Sequence, residues 1–290
     1  MLTHTNNKSG FSLIELVVAM FLGVMVVGLF IYLSNNQRKS FTTQKAKEES
    51  QESVSRIHGE LLDKIRMAGY QIPDTFDAIL PFYNPGGSDS IRVMANYDNF
   101  MRTNKITIHD SSTWVITEFD ERFRYRPGMK LMVRAAGNDP IIEGWAEVDT
   151  FQVFSWGGVK HIIFYLDDPI SGSYATGSRV TLFNSYTFKV VSDSSGNSKC
   201  LFTINGIDKE YVLVEGVEKL RLTYELKNDT TDHNTFPAES LGNIYAVNLE
   251  VESKAKTADY EYTHPDYGDN YRRNILNSQV VVLNLAIEKR

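Results

Sequence analysis

Two hydrophobic patterns divide the chain. From Leu16 to Leu33 no residue is charged, and Leu, Val, Met, Phe and Ile dominate. A run of about 18 such residues is at the lower end of what crosses a bilayer as a helix. Polar residues return at Ser34, yet the helical signal continues. Gln37, Arg38, Lys39, Gln44, Lys45, Ala46, Lys47, Glu48, Glu49 and Gln51 are largely good helix formers, and no proline precedes Pro73. Val54, Ile57, Leu61, Ile65 and Ala68 then recur at steps of three and four, which makes one apolar face. That stripe spans barely two heptads, so it predicts packing against the following domain and not a coiled coil. Gly69 supplies the stop and Pro73 prevents a restart. A helix from Phe11 to Met67 would be about 85 Å long.

After Pro73 the period changes to two. Strands are predicted at Ser90–Ala95, Lys105–Ile108, Trp114–Phe119, Lys130–Val133, Ala146–Phe154, His161–Leu166, Arg179–Val191 and Cys200–Ile204. Clusters such as Asn84-Pro85-Gly86-Gly87 and Asp193-Ser194-Ser195-Gly196-Asn197 punctuate them. Alternation is clearest in the last third, in Lys219–Leu226 and Val247–Glu252, where one face is apolar and the other polar. Val281–Ile287 is predicted to close the chain as a strand. Repeats and low-complexity tracts are absent from the sequence.

Composition narrows the functional classes. The 290 residues carry a formal net charge of −6, which argues against a nucleic-acid surface. Arg122, Arg124 and Arg126 alternate with Phe123 and Tyr125, a pattern expected of an exposed strand face and not of DNA contact. Cys200 is the only cysteine, so an intramolecular disulfide is impossible. It is expected as a half-buried strand residue.

No enzyme site is legible. The six histidines, His4, His58, His109, His161, His233 and His264, do not stand at metal-ligand spacings. The sequence has neither a Gly-x-Ser-x-Gly elbow nor a glycine-rich phosphate loop. Asp266–Asn270 and Asn228–Asn234 are oxygen-rich but lack calcium-loop spacing, and read as solvated loops. Neither a metal nor a cofactor is expected. Asn228-Asp229-Thr230 fits an N-glycosylation pattern.

One residue resists the plain reading of the apolar run as a membrane anchor. Glu15 places a carboxylate at the front of a membrane-length helix, which is costly and marks a functional position. A secretory signal peptide also fits poorly. The polar leader Met1–Ser9 has only Lys8 and His4 as basic groups, and Tyr32-Leu33-Ser34-Asn35-Asn36 offers no small-residue cleavage site.

Gly10-Phe11-Ser12-Leu13-Ile14-Glu15-Leu16 resembles the class III signal of type IV prepilins and pseudopilins. The resemblance implies that a prepilin peptidase cuts after Gly10 and that Phe11, the new terminus, is N-methylated. It implies that Glu15 pairs with the terminal ammonium of a neighbouring subunit. Two such charges in lipid are costly alone and tolerable together. The asparagine pattern is then set aside, because the signal implies a bacterial or archaeal source. The helix closing on Arg66-Met67-Ala68-Gly69-Tyr70 resembles the minor-pilin family called PilW, as does Val212–Glu218, placed like the lead into a core strand.

The expected organisation follows: a leader over residues 1–10, a membrane and assembly half-helix over 11–33, a periplasmic spine over 34–69 and a β-rich head over 70–290. The expected fold class is α+β, pilin-like, with the long helix packed on a large, mainly antiparallel sheet domain. The expected role is structural and non-catalytic: a minor pilin that initiates, primes or caps a type IV pilus. The expected partners are other minor pilins, the major pilin, the prepilin peptidase, the inner-membrane assembly platform and a tip adhesin. Orientation rests on the resemblance, because Lys8 on one side is opposed by Arg38 and Lys39 on the other. The head is expected in the periplasm and then at the fibre tip. The alternatives are a J-type pseudopilin of type II secretion and, from another class, a tip-displayed adhesin or DNA-uptake module. Gly23 and Gly28 each weaken the helix by up to ~1 kcal/mol, which favours local unwinding inside a filament.

Overall fold

The computed structural model describes residues 12–72, 76–136, 143–194, 196–205, 209–227, 229–233 and 243–283, with the backbone alone for 229–233. Its fold is α+β: one long N-terminal helix and a large antiparallel β domain. The helix α1 runs unbroken from Leu13 to Met67. Gly23 and Gly28 lie inside it. It stops where the sequence says it should. Tyr70 N donates to Met67 O at 3.0 Å, and Gly69 takes a φ of 83°, which glycine adopts without steric cost.

The chain forms two compact units: Met1–Glu49 with Ala255–Arg272, and Ser50–Lys254 with Arg273–Arg290. In the first, the loop Ala255–Arg272 is fastened to the middle of α1 through two carboxylates. Glu49 accepts from Thr257 N at 2.9 Å and from Thr257 Oγ1 at 3.0 Å. Asp259, 2% exposed, accepts from Thr43 Oγ1 at 3.1 Å and from Arg272 Nε at 2.7 Å. Burial works to raise the Asp259 carboxyl, but the hydrogen bonds from Arg272, Thr43 and the Glu261 amide outweigh it and hold it below its ordinary value. Lys39 pairs with Glu261. Backbone bonds from Ala255 N to Arg272 O, Asp259 N to Asn270 O and His264 N to Asp269 O close the loop on itself.

The second unit holds two sheets. Among the described residues the larger has ten strands. Its main path runs β1 (Ile79–Phe82), β2 (Ser90–Ala95), β8 (Arg179–Ser192), β5 (Lys130–Arg134), β6 (Glu143–Trp156), β7 (Val159–Ile170) and β4 (Ser112–Glu118). Off this path, β3 (Met101–Thr103) and β9 (Ser198–Ile204) pair with β8, and β10 (Tyr211–Glu215) pairs with β9. The smaller sheet has the order β12 (Asp229–His233), β11 (Val217–Leu226), β13 (Ile244–Lys254) and β14 (Arg273–Val281).

Two cores follow from side-chain alternation. Val54, Ile57, Leu61, Ile65 and Ala68 of the α1 stripe and its end are all buried. They pack with Ile91, Val93, Met132 and Phe183 of the large sheet and with Leu220, Leu222, Val247, Leu249 and Val251 of the small one. The other face of the large sheet carries the second core, with Leu131, Val133, Val180, Leu182, Ile162 and Phe164 closed over by Phe100, Phe123 and Tyr174. On β5, Leu131 and Val133 point into one core and Met132 into the other, so this central strand is apolar on both faces.

Several expectations change. Lys105–Ile108 is not a strand. Its flanks form single bridges, Asn104 to Thr117 and Ile108 to Tyr174, and the Asn104 amide donates to Ile106 O at 2.7 Å, which substitutes a side-chain turn for a ladder. Arg122–Arg126 is a turn and irregular chain. Arg122 pairs with Asp120, while Phe123 and Tyr125 pack into the second core. Asp229–His233, expected in a loop, is strand β12, because its backbone finds the free edge of β11. The closing strand is Arg273–Val281, one segment earlier than expected, and residues 284–287 lie outside the described residues. Its polar residues hid it: Asn274, Asn277, Ser278 and Gln279 are tolerated on an edge strand. Cys200 is fully buried, not half-buried, as a member of the first core.

Candidate assembly site at the amino terminus

The first described turn is built by Ser12 and Glu15. Ile14 N donates to Ser12 Oγ at 3.3 Å, and Ser12 N donates to Glu15 Oε2 at 3.0 Å. Leu16 N donates to Ser12 O at 3.2 Å, so the helix ladder starts on Ser12. This is a capping box, with the hydroxyl and the carboxylate three residues apart each satisfying an amide that the helix leaves open. The carboxylate also faces the positive end of the helix dipole. The Ser12-x-x-Glu15 spacing is legible in the sequence, but the sequence reading assigns Glu15 to a neighbouring subunit alone. Gly10 and Phe11 lie outside the described residues.

Behind the box, α1 is long and apolar enough to cross a membrane. None of its large apolar side chains from Leu13 to Leu33 is buried within the chain; Leu13 is 81% exposed and Phe30 73%. An apolar surface of that extent marks a membrane or a protein interface.

The residues that could carry other chemistry are held apart. His58 meets Ser278 Oγ at 2.7 Å, and burial with the nearby Arg66 charge lowers its pKa. His161 meets Val159 O at 2.9 Å, and His264 stands against the ring of Tyr267. Among the described residues no group of three or more His, Cys, Asp or Glu side chains could hold a metal ion. Burial pushes the Cys200 thiol up to about 12, which leaves it protonated and unreactive near neutral pH.

The prokaryotic N-terminal methylation motif matches residues 5–31. The amino terminus is a type IV pilin-like class III signal. The match takes in residues 5–11, the capping box and the apolar run as far as Ile31, and stops short of the β domain. None of the curated proteins and none of the solved structures compared with the chain matches it. The pilin-type signal supports a type IV pilin-like or pseudopilin protein, anchored in the inner membrane and structural. It implies processing by a prepilin peptidase and assembly with other pilins in a membrane machinery.

Proposed function

We propose that the protein is a minor pilin of the PilW kind that initiates, primes or caps a type IV pilus. In this reading Gly10 is the cut site, Phe11 the methylated terminus and Glu15 the carboxylate that meets the terminal ammonium of a neighbouring subunit. The observation that carries it is a single exposed acid at the head of an apolar helix that its own chain leaves uncovered. A lipid-embedded carboxylate favours a partner of opposite charge. Size adds to the argument, because a large β domain is easier to place at a tip, where no subunit stacks above it.

The test follows the protein into fibres. With Glu15→Ala the chain should stay in the membrane fraction and disappear from sheared pili. Unchanged incorporation would overturn the assigned role of Glu15. Gold-labelled antibody should mark fibre ends. Labelling along the shaft at the density of the major subunit would overturn the tip position. The chain recovered from membranes should lack Met1–Gly10 and carry one added methyl group by mass.

A further inference from the structure

The small sheet has a polar outer face that neither core nor signal accounts for. Register sets its rows. Arg221 of β11 stands opposite Glu250 of β13, which stands opposite Asn277 of β14. The next row is Thr223, Asn248 and Gln279. Their neighbours Leu220, Leu222, Leu249 and Val251 are buried in the first core, so these rows point away from it. The loop Tyr83–Gly87 stands beside the rows and makes the face a groove of ≈ 700 Å³.

The loop is fixed. Asp89, 6% exposed, accepts from Asn84 N at 2.9 Å and from Leu222 N at 3.0 Å, and Leu220 N donates to Ser88 Oγ at 2.8 Å. The groove wall is therefore riveted to β11 before any ligand arrives, which reduces the ordering cost of binding. Within the groove, the Arg221 guanidinium, the Glu250 carboxylate, the Asn277 amide and the Thr223 hydroxyl make no hydrogen bond or ion pair with any described residue. Arg221 and Glu250 are cross-strand neighbours and still do not pair. Unpaired polar groups side by side in a preformed groove are available to a ligand without breaking an internal contact.

The chemistry selects the ligand. Of the charged lining groups, Arg221 and Glu250 stand side by side and offset each other, and the buried Asp89 carboxylate is satisfied by Asn84 N and Leu222 N, so the groove presents no excess of positive charge and suits a neutral molecule. A phosphate-bearing chain is disfavoured, since its binding rests on several cations. Guanidinium, carboxylate and amide groups along one row offer donors and acceptors at strand spacing, about 4.8 Å apart across the sheet. A polyhydroxylated chain presents a donor and acceptor on each oxygen and meets such a grid at successive hydroxyls. Tyr83, 45% exposed, adds an aromatic ring for the apolar face of a sugar. We infer that this groove binds a neutral oligosaccharide. The inference stands apart from the assembly reading, and uses no residue of α1.

The full chain in detergent micelles should be titrated with neutral hexaoses of glucose, mannose and N-acetylglucosamine, followed by saturation-transfer NMR. At least one should bind in the millimolar range or tighter. Glu250→Gln, Arg221→Ala and Asn277→Ala should each weaken it about tenfold or more, since hydrogen bonds to charged groups carry that weight. Melting temperature should not move, because Arg221 and Asn277 are exposed and Glu250→Gln keeps the shape. The inference fails if none of the hexaoses binds, if the three variants bind as the parent does, or if a sulfated hexaose or single-stranded DNA binds more tightly than every neutral sugar.

Discussion

At Glu15 one carboxylate holds Ser12 N at 3.0 Å, and in the assembly reading the same carboxylate meets a neighbour's ammonium. Ser12 N engages Oε2 alone, so the second carboxylate oxygen is available and docking can add an intermolecular pair to the internal cap. Two other residues give sharper tests. His58 is less basic folded than free, because burial and Arg66 disfavour its charged form. As pH falls below the ordinary 6.5, the unfolded chain takes the proton first, so stability present at neutral pH declines. Thermal melts from neutral pH to about pH 5 should therefore fall more steeply in the parent than in His58→Gln. Gly216 has a φ of 81°, and a Cβ there would stand 2.6 Å from Lys254 O. Gly216→Ala should cost about 1–3 kcal/mol in denaturant unfolding. The sequence assigns neither residue this role, since the burial of His58 and the approach of Lys254 O to Gly216 arise only in the fold.

The elements differ in how openly the chain declares them. The α1 stripe was legible because its members, Val54, Ile57, Leu61, Ile65 and Ala68, are all buried in the first core and recur at helical spacing. The pilin-type signal was legible for the same kind of reason, as a local pattern. Ser90–Ala95 and Arg179–Val191 were legible because strands in the middle of a large sheet need apolar side chains. Strand β14 was not, since an edge strand is selected for pairing to β13 and not for burial. The oligosaccharide groove was not legible either, because Arg221, Glu250 and Asn277 become neighbours only through register. Leu61 tests the helix stripe. It is 0% exposed at the centre of the first core, so Leu61→Ala should destabilise the β domain by about 2–5 kcal/mol. Asp63, two residues on and exposed on the opposite side of the helix, should tolerate alanine within about 0.5 kcal/mol in the same unfolding assay.

For the molecule as a whole, solubility and anchoring separate cleanly along α1. The apolar surface from Leu13 to Leu33 has no cover within the chain, whereas the stripe from Val54 onward is fully used. A chain beginning at Ser34 should therefore stay in the aqueous phase on detergent partitioning with its circular dichroism unchanged over the β region, while the full chain partitions with detergent. Loss of the β signal in the shortened chain would show that the anchor also supports the fold. The loop Ala255–Arg272 then acquires a mechanical meaning. If the chain is built into a filament as proposed, tension along α1 that melts it from Gly23 or Gly28 would meet, among the described residues, helix hydrogen bonds as far as Asn36. At Lys39 it reaches the ion pair to Glu261, then Thr43 on Asp259 and Glu49 on Thr257. In the assembly reading, those fastenings are the first side-chain contacts to the loop that such melting would have to break.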